Sequence, residues 1–167
     1  MNRKVLKAGL LVVFSIMLCG CPYESEFPLS SPDTAQIDRE LIGNWKYGAP
    51  GETEAATLSI YPFNDHEIII MSPEGNRKIV AYRAFATCIQ GEHFLNVQEI
   101  GPSGDAGHWL FVGYSIAGNR LTIRILEDTL MNNRDLETPE ALSEFIGENL
   151  KDKDLFGGDS EMVFERL

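Results

Sequence analysis

The feature that most constrains this chain is how little sequence separates its strand-like segments. Residues 44–47, 56–61, 67–71, 78–89, 93–100, 108–116 and 120–126 are rich in Ile, Val, Phe, Tyr and Thr, and no gap between them exceeds eight residues. A parallel crossover needs about a dozen residues or more, so consecutive segments must pair antiparallel, as a meander. The gaps carry turn chemistry: Pro50 and Gly51, Asn64 and Asp65, Gly75 and Asn76, Gln90 and Gly91, Gly118 and Asn119.

Leu58 and Ile60 alternate with Thr57, Ser59 and Tyr61, and Leu121, Ile123 and Ile125 with Thr122 and Arg124, so these strands bury one face. Residues 67–71 do not alternate and are expected to be covered on both sides. Thr138 then caps a helix, with Pro139 in its first turn, Glu140 against its dipole and Leu142, Phe145, Ile146 and Leu150 as its apolar stripe. A shorter helix is expected over 35–42, where Ile37, Leu41 and Ile42 share a face. Residues 161–167 read as an eighth strand, free to return to the first. Closing a sheet of seven or eight strands removes its edges and leaves room inside for side chains or one small ligand. The expected fold class is therefore mainly β: an antiparallel up-and-down meander closing into a barrel, with one short N-terminal helix and one helix before the last strand.

The N-terminus has the layout of a secretory signal: Arg3, Lys4 and Lys7, then an uncharged apolar run over 8–18. That run is shorter than the roughly 20 residues a membrane-crossing helix needs. Leu18, Cys19, Gly20 and Cys21 resemble the lipobox of bacterial lipoprotein precursors, with Leu at −3, a small residue at −1 and Cys at +1. The resemblance implies cleavage between Gly20 and Cys21, a diacylglyceryl group on the Cys21 sulfur and further acylation of the new amine, palmitate being a typical chain. An ordinary signal peptide would explain the apolar run equally well and leave Cys21 as an exposed thiol. Pro22 in place of Asp favours the outer membrane, at its periplasmic face, in an organism with two membranes. Three domains follow: a signal at 1–20, a flexible tether at 21–34 with three prolines, and a barrel domain at 35–167. Once the signal is removed, Cys88 is the one cysteine besides the lipid-bearing Cys21, and it is expected to be buried and structural.

Leu41, Ile42, Gly43, Asn44 and Trp45, at the entrance to the first strand, resemble the Gly-x-Trp signature of lipocalin-type barrels and of a bacterial lipocalin-like lipoprotein family. The resemblance implies that Trp45 closes the bottom of the barrel with Arg166 stacked across it. The second lipocalin signature, a Thr-Asp-Tyr segment, is absent. Gly43 and Trp45 also fit a tight entry and a core residue in an open or half-closed sheet.

No catalytic or cofactor chemistry is legible. His66, His93 and His108 lack metal-ligand spacing, Ser103 lacks a nucleophile-elbow context, and no phosphate-binding glycine loop precedes a helix. The acidic stretch 152–161 places Phe156 where a calcium loop needs an oxygen. The chain is accordingly expected to be neither an enzyme nor a metalloprotein, and to need no cofactor.

Without Arg3, Lys4 and Lys7, 11 basic residues face 25 acidic ones, an excess of 14 negative charges. Nucleic acid is excluded as a partner by that balance, and anionic lipid would repel the domain as a whole. Two functions remain. Tyr82, Phe85, Phe94, Trp109, Phe111 and Tyr114 on the middle strands are candidate lining for a small apolar ligand, or core filling. Alternatively, the acidic surface meets a basic envelope protein, in the manner of small lipid-anchored barrel inhibitors of wall hydrolases, although 101–107 lacks their Ser-Gly-x-x-x-Tyr pattern.

Overall fold

The computed structural model describes residues 21–48, 56–74, 78–101, 106–132, 134–158 and 161–167. The signal segment 1–20 and most of the 101–107 loop lie outside the described residues. Among them are nine strands, β1 (Glu24–Ser25), β2 (Gly43–Tyr47), β3 (Ala56–Pro62), β4 (Ile68–Glu74), β5 (Lys78–Ile89), β6 (Glu92–Ile100), β7 (Ala106–Ala117), β8 (Arg120–Ile125) and β9 (Met162–Arg166), and the helix α1 (Pro139–Asn149). No helix among the described residues is long and apolar enough to cross a membrane.

Strands β2 to β8 pair in sequence, each antiparallel to the next, and β9 pairs with both β8 and β2. The eight-stranded sheet closes on itself, as the meander and the late strand predict, which removes the edges of the barrel itself. β1 is an addition, lying against β7 at Leu110 and Trp109 beyond the point where β8 leaves it. The two faces of this cylinder build two separate cores. The inner one draws on all eight barrel strands, with Trp45, Ile60, Ile68, Ala84, Leu95, Tyr114, Leu121 and Phe164 at its buried centre. The outer one covers β5, β6 and β7 with α1, residues 126–131 and 155–156, and the N-terminal stretch.

Helix α1 begins as the sequence indicates. Thr138 is extended and its hydroxyl accepts from the Ala141 N–H at 3.2 Å, Pro139 opens the first turn, and Leu142 and Ile146 are fully buried against the outer wall. Phe145 and Leu150 flank them, half-buried in the same core.

Three expectations need correction. Residues 35–42 form no α-helix: single 3₁₀ turns occur at Pro32–Thr34 and Arg39–Leu41, with extended backbone between. Asp38 caps the second turn through the Glu40 N–H at 2.9 Å, and the extended stretch lets Ile37 and Leu41 turn into the inner core. Second, 67–71 is not the strand covered on both faces. Ile68 and Ile70 are buried while Ile69 and Met71 are half-exposed, whereas Phe94, Leu95, Asn96, Val97 and Gln98 of β6 are buried without a break.

Third, 22–34 is not a loose tether. Pro22 bridges Glu127, the Tyr23 N–H donates to the Leu126 carbonyl at 2.9 Å, Tyr23 stacks on Phe111, and Leu29 is buried. Asn96, fully buried on the outer face of β6, holds this stretch. Its Oδ1 accepts from the Leu29 N–H at 2.7 Å, while its Nδ2 donates to Thr87 Oγ1 and the Phe85 carbonyl. The Ser143 hydroxyl of α1 donates to the Leu29 carbonyl at 3.0 Å, which joins helix, N-terminal stretch and barrel wall. Of its polar side chains, Ser30 bonds to Thr87 of the wall at 2.6 Å, while Ser25 and Thr34 bond within the stretch.

Candidate functional site

One end of the barrel is shut by Trp45. Its indole is fully buried, its Nε1–H donates to the Leu41 carbonyl at 2.8 Å, and the Arg166 guanidinium lies 4.2 Å from its ring centroid. Trp45 and Arg166 are direct cross-strand neighbours, so pairing of β2 with β9 alone brings cation and ring together. Arg166 also donates to the Ile42 carbonyl at 2.8 Å and to the Glu40 carbonyl, tying down the segment that crosses this end. Gly43 makes room for it. With φ at +142° and a Cβ position 2.8 Å from Arg166 Nη1, no other residue fits without displacing the guanidinium. The structure thus brings Gly43, Trp45 and Arg166 into one plug.

Tyr114 completes the floor beneath that segment. Its hydroxyl donates to Asp38 Oδ2 at 3.1 Å and its ring packs against His93. Burial first, then the Asp38 carboxylate, hold the phenol well above its ordinary range, so it stays a donor. Cys88 sits at this same end, opposite His93 in the β5–β6 register, and is exposed rather than buried. Its position at the end of β5, next to the hairpin turn, leaves it beyond the packed interior.

The other half of the interior differs. Leu58, Tyr82, Leu110, Val112, Ile123 and Met162 face inward with the inner core, on five strands in all, and all are only half-buried. In the strand register all but Met162 have a buried partner: Leu58 pairs with Trp45, Tyr82 with Ile70, Leu110 with Val97, Val112 with Leu95 and Ile123 with Tyr114. Glu99 and His108, both exposed, occupy inward positions nearer the strand ends. Among the described residues the arrangement is a cup: a tryptophan-sealed bottom, apolar walls with part of their surface uncovered, and Glu99 and His108 toward the rim.

The six aromatics singled out in the sequence do not share one lining. Tyr82 and Tyr114 belong to the inner core, Tyr82 in the cup wall and Tyr114 at the floor. Phe85, Phe94, Trp109 and Phe111 lie on the outer face, beneath α1 and the N-terminal stretch, with Phe85 edge-on to Trp109 and Phe94 stacked on Phe156. Strand alternation sends odd positions of β5 and β7 and even positions of β6 outward. Both faces being apolar, hydrophobicity alone did not mark which was which. The aliphatic lining was missed; counting outward and inward positions from Trp45 across the strand register would have found it.

Two surface depressions of about 320 and 330 Å³ lie elsewhere. The first is bounded by Arg124, Lys151, Lys153 and Phe156 with Asp152 and Glu161; the second adjoins Arg120 and Arg166 on the outside of the plug. No group of three His, Cys, Asp or Glu side chains converges as a metal site would require among the described residues. The stretch from Asp152 is a 3₁₀ turn, Lys153–Phe156, capped by the Asp152 carboxylate on the Asp154 N–H at 3.0 Å. Cys21 is exposed, and its carbonyl accepts from the Asp128 N–H at 3.0 Å.

No protein-family model, curated protein or solved structure matches this chain. The class of molecule is therefore defined by its own architecture: a closed, eight-stranded antiparallel β-barrel with one end sealed.

Proposed function

We propose that this is a lipid-anchored protein of the cell envelope, acylated on Cys21, whose barrel holds a small apolar ligand in the half-open part of its interior. The observation that carries the ligand reading is the uncovered apolar surface of Leu58, Tyr82, Leu110, Val112, Ile123 and Met162, which face the barrel axis yet are not buried by one another. Apolar surface left uncovered inside a concave site is stabilised by an apolar guest at about 25 cal/mol per Å² removed from water. Glu99 and His108 near the rim suit a guest with one polar end. The anchor reading rests on the lipobox-like Leu18, Cys19, Gly20 and Cys21, and an outer-membrane, periplasm-facing location follows from Pro22.

An environment-sensitive apolar dye titrated into the chain is expected to bind once per molecule, and Val112→Trp, which fills the cup from a half-exposed position, to abolish binding while leaving thermal unfolding nearly unchanged. Wild-type protein that gives no saturable dye signal, or a Val112→Trp variant that binds as before, contradicts the ligand reading. The anchor is tested separately. Radiolabelled palmitate should enter the wild-type chain and not Cys21→Ser, and the variant should leave the membrane fraction.

A further inference from the structure

We propose that the outer wall of the barrel across β3, β4 and β5 is the face through which two copies of this chain pair. The inner-core residues of these strands, Leu58, Ile60, Ile68, Ile70, Tyr82 and Ala84, occupy even positions, so the odd positions face outward. Those positions hold Tyr61, Ile69, Met71, Pro73, Ile79 and Ala81, with Ser59 and Arg83 at the margins. The register joins them: Tyr61 lies opposite Ile69, Met71 opposite both Ser59 and Ala81, and Pro73 opposite Ile79. The result is an apolar band running diagonally over three strands, about 13 Å along them and about 10 Å across. Tyr61 is 44% exposed and Ile79 65%, and Phe63, 62% exposed, follows β3 at the turn. Helix α1 and the N-terminal stretch lie over the wall from Phe85 through β6 and β7, and leave this part of it bare.

Charge decides what covers the band. Among the described residues the outward positions of β3, β4 and β5 carry no acidic side chain, although the chain has a formal net charge of −11. The one carboxylate at the margin, Glu67, is buried and paired with Arg83 at 2.9 Å, and the Ser59 hydroxyl donates to Asn44 Oδ1 at 2.8 Å, so drying this wall separates neither from its partner. The side that carries α1 is the opposite case, with Glu140, Glu144, Glu148, Asp152 and Asp154 all exposed. Two copies that meet through that side bring like charges together, and two that meet through the band do not. A basic partner is drawn to the α1 side and gains nothing at a wall without acid. What complements a neutral apolar face is another neutral apolar face, and a two-fold axis near Met71 supplies it from this chain itself.

The size of the band sets the strength of the pair. A patch of this extent approaches the few hundred Å² beyond which monomeric proteins rarely leave apolar surface bare. Doubled across a two-fold axis, it stays below the roughly 1,200 Å² that standard stable interfaces bury. The pair is therefore weak and reversible, and forms where copies of the chain are concentrated. It depends on neither the guest inside the barrel nor the lipid on Cys21.

The test is made in cells producing two differently tagged copies of the full chain, one of them with photoreactive benzoylphenylalanine in place of Tyr61, Ile79 or Glu144. Irradiation is expected to give an adduct of twice the chain's mass, carrying both tags, from the Tyr61 and Ile79 positions and none from the Glu144 position. Ile79→Asp in both copies should remove most of the adduct formed from the Tyr61 position while leaving the thermal melt unchanged, because Ile79 is exposed in the single chain; Ala81→Lys serves the same purpose if Ile79→Asp lowers the melt. Absence of the doubly tagged adduct, adducts formed only with other proteins or with lipid, or an equal yield from the Glu144 position overturns the pairing. Persistence of the adduct in a folded Ile79→Asp or Ala81→Lys chain overturns it as well.

Discussion

Trp45, Ile60, Ala84, Leu95 and Leu121 are buried, whereas Leu58, Leu110, Val112, Ile123 and Met162, on the same strands or their neighbours, remain half-exposed. The two regions share strands, register and residue types; they differ in what closes them. At the sealed end an indole fills the bore and a crossing segment, fastened by Arg166 and Asp38, covers it. Toward the other end, among the described residues, aliphatic side chains of moderate size keep part of their surface exposed. The contrast teaches that one bulky side chain and the segment crossing it bury one part of a small barrel completely, while aliphatic side chains on the same strands do not bury one another.

The largest expected effect comes from attacking the plug. Trp45→Ala should cost about 3–5 kcal/mol in urea unfolding, because a fully buried indole is replaced by a cavity. Leu110→Ala in the cup should cost no more than about 1–2 kcal/mol, since part of the side chain already meets solvent. Equal losses at the two positions would erase the distinction between the halves. Next in size is Asn96→Ala on the outer wall. It strands the Leu29 N–H in a buried place, a cost of about 1–3 kcal/mol, and should speed proteolysis within 22–34 without weakening dye binding. Arg166→Ala should cost about 1–2 kcal/mol through the lost ring contact and the freed carbonyls of Ile42 and Glu40, with Arg166→Lys recovering part of it. Circular dichroism melts resolve these differences.

The smallest effect is a dependence on pH at the wall beside the open end. Burial, and then Asp128, raise the pKa of Glu127 above its ordinary 4.5. A carboxyl group that holds its proton more tightly when folded stabilises the fold fully below its unfolded pKa, and that contribution is lost as pH rises through the folded value. Glu127→Gln should therefore raise Tm at pH 7 by about 1–3 °C and leave it unchanged at pH 4. The same carboxylate lies where a Cβ on Gly157, with φ at +65°, would have to sit, so Gly157→Ala disturbs this region sterically at either pH.

The strands were legible in the sequence because their signals are local. Alternation in 56–61 and 120–126 and turn residues at Gln90 and Gly91 or Gly118 and Asn119 place β3, β8 and two hairpins within a residue or two. Closure was legible from the late strand at 161–167, which had no other partner than the first and last strands of the meander. What the sequence did not reveal was the second core. The 22–34 stretch docks through Asn96, 67 residues from Leu29, and α1 covers the same wall, so β6 is buried on both faces and its alternation vanishes. Phe85, Phe94, Trp109 and Phe111 then look like ligand lining when they are the seat of a helix. Trp45 and Arg166 could be paired from a short motif because cross-strand position carries the contact, whereas the cup is defined by exposure, which no single residue type announces.

The most direct measurement is thiol labelling inside the barrel. In a Cys19→Ser, Cys21→Ser, Cys88→Ser background, Leu110→Cys and Leu95→Cys place one thiol in the open half and one in the sealed half. Leu110→Cys is expected to react with a small maleimide in the native protein, and Leu95→Cys only once denaturant unfolds it. Protection of both thiols in the native state would contradict the account, since the interior would then be packed throughout and have no room for a guest.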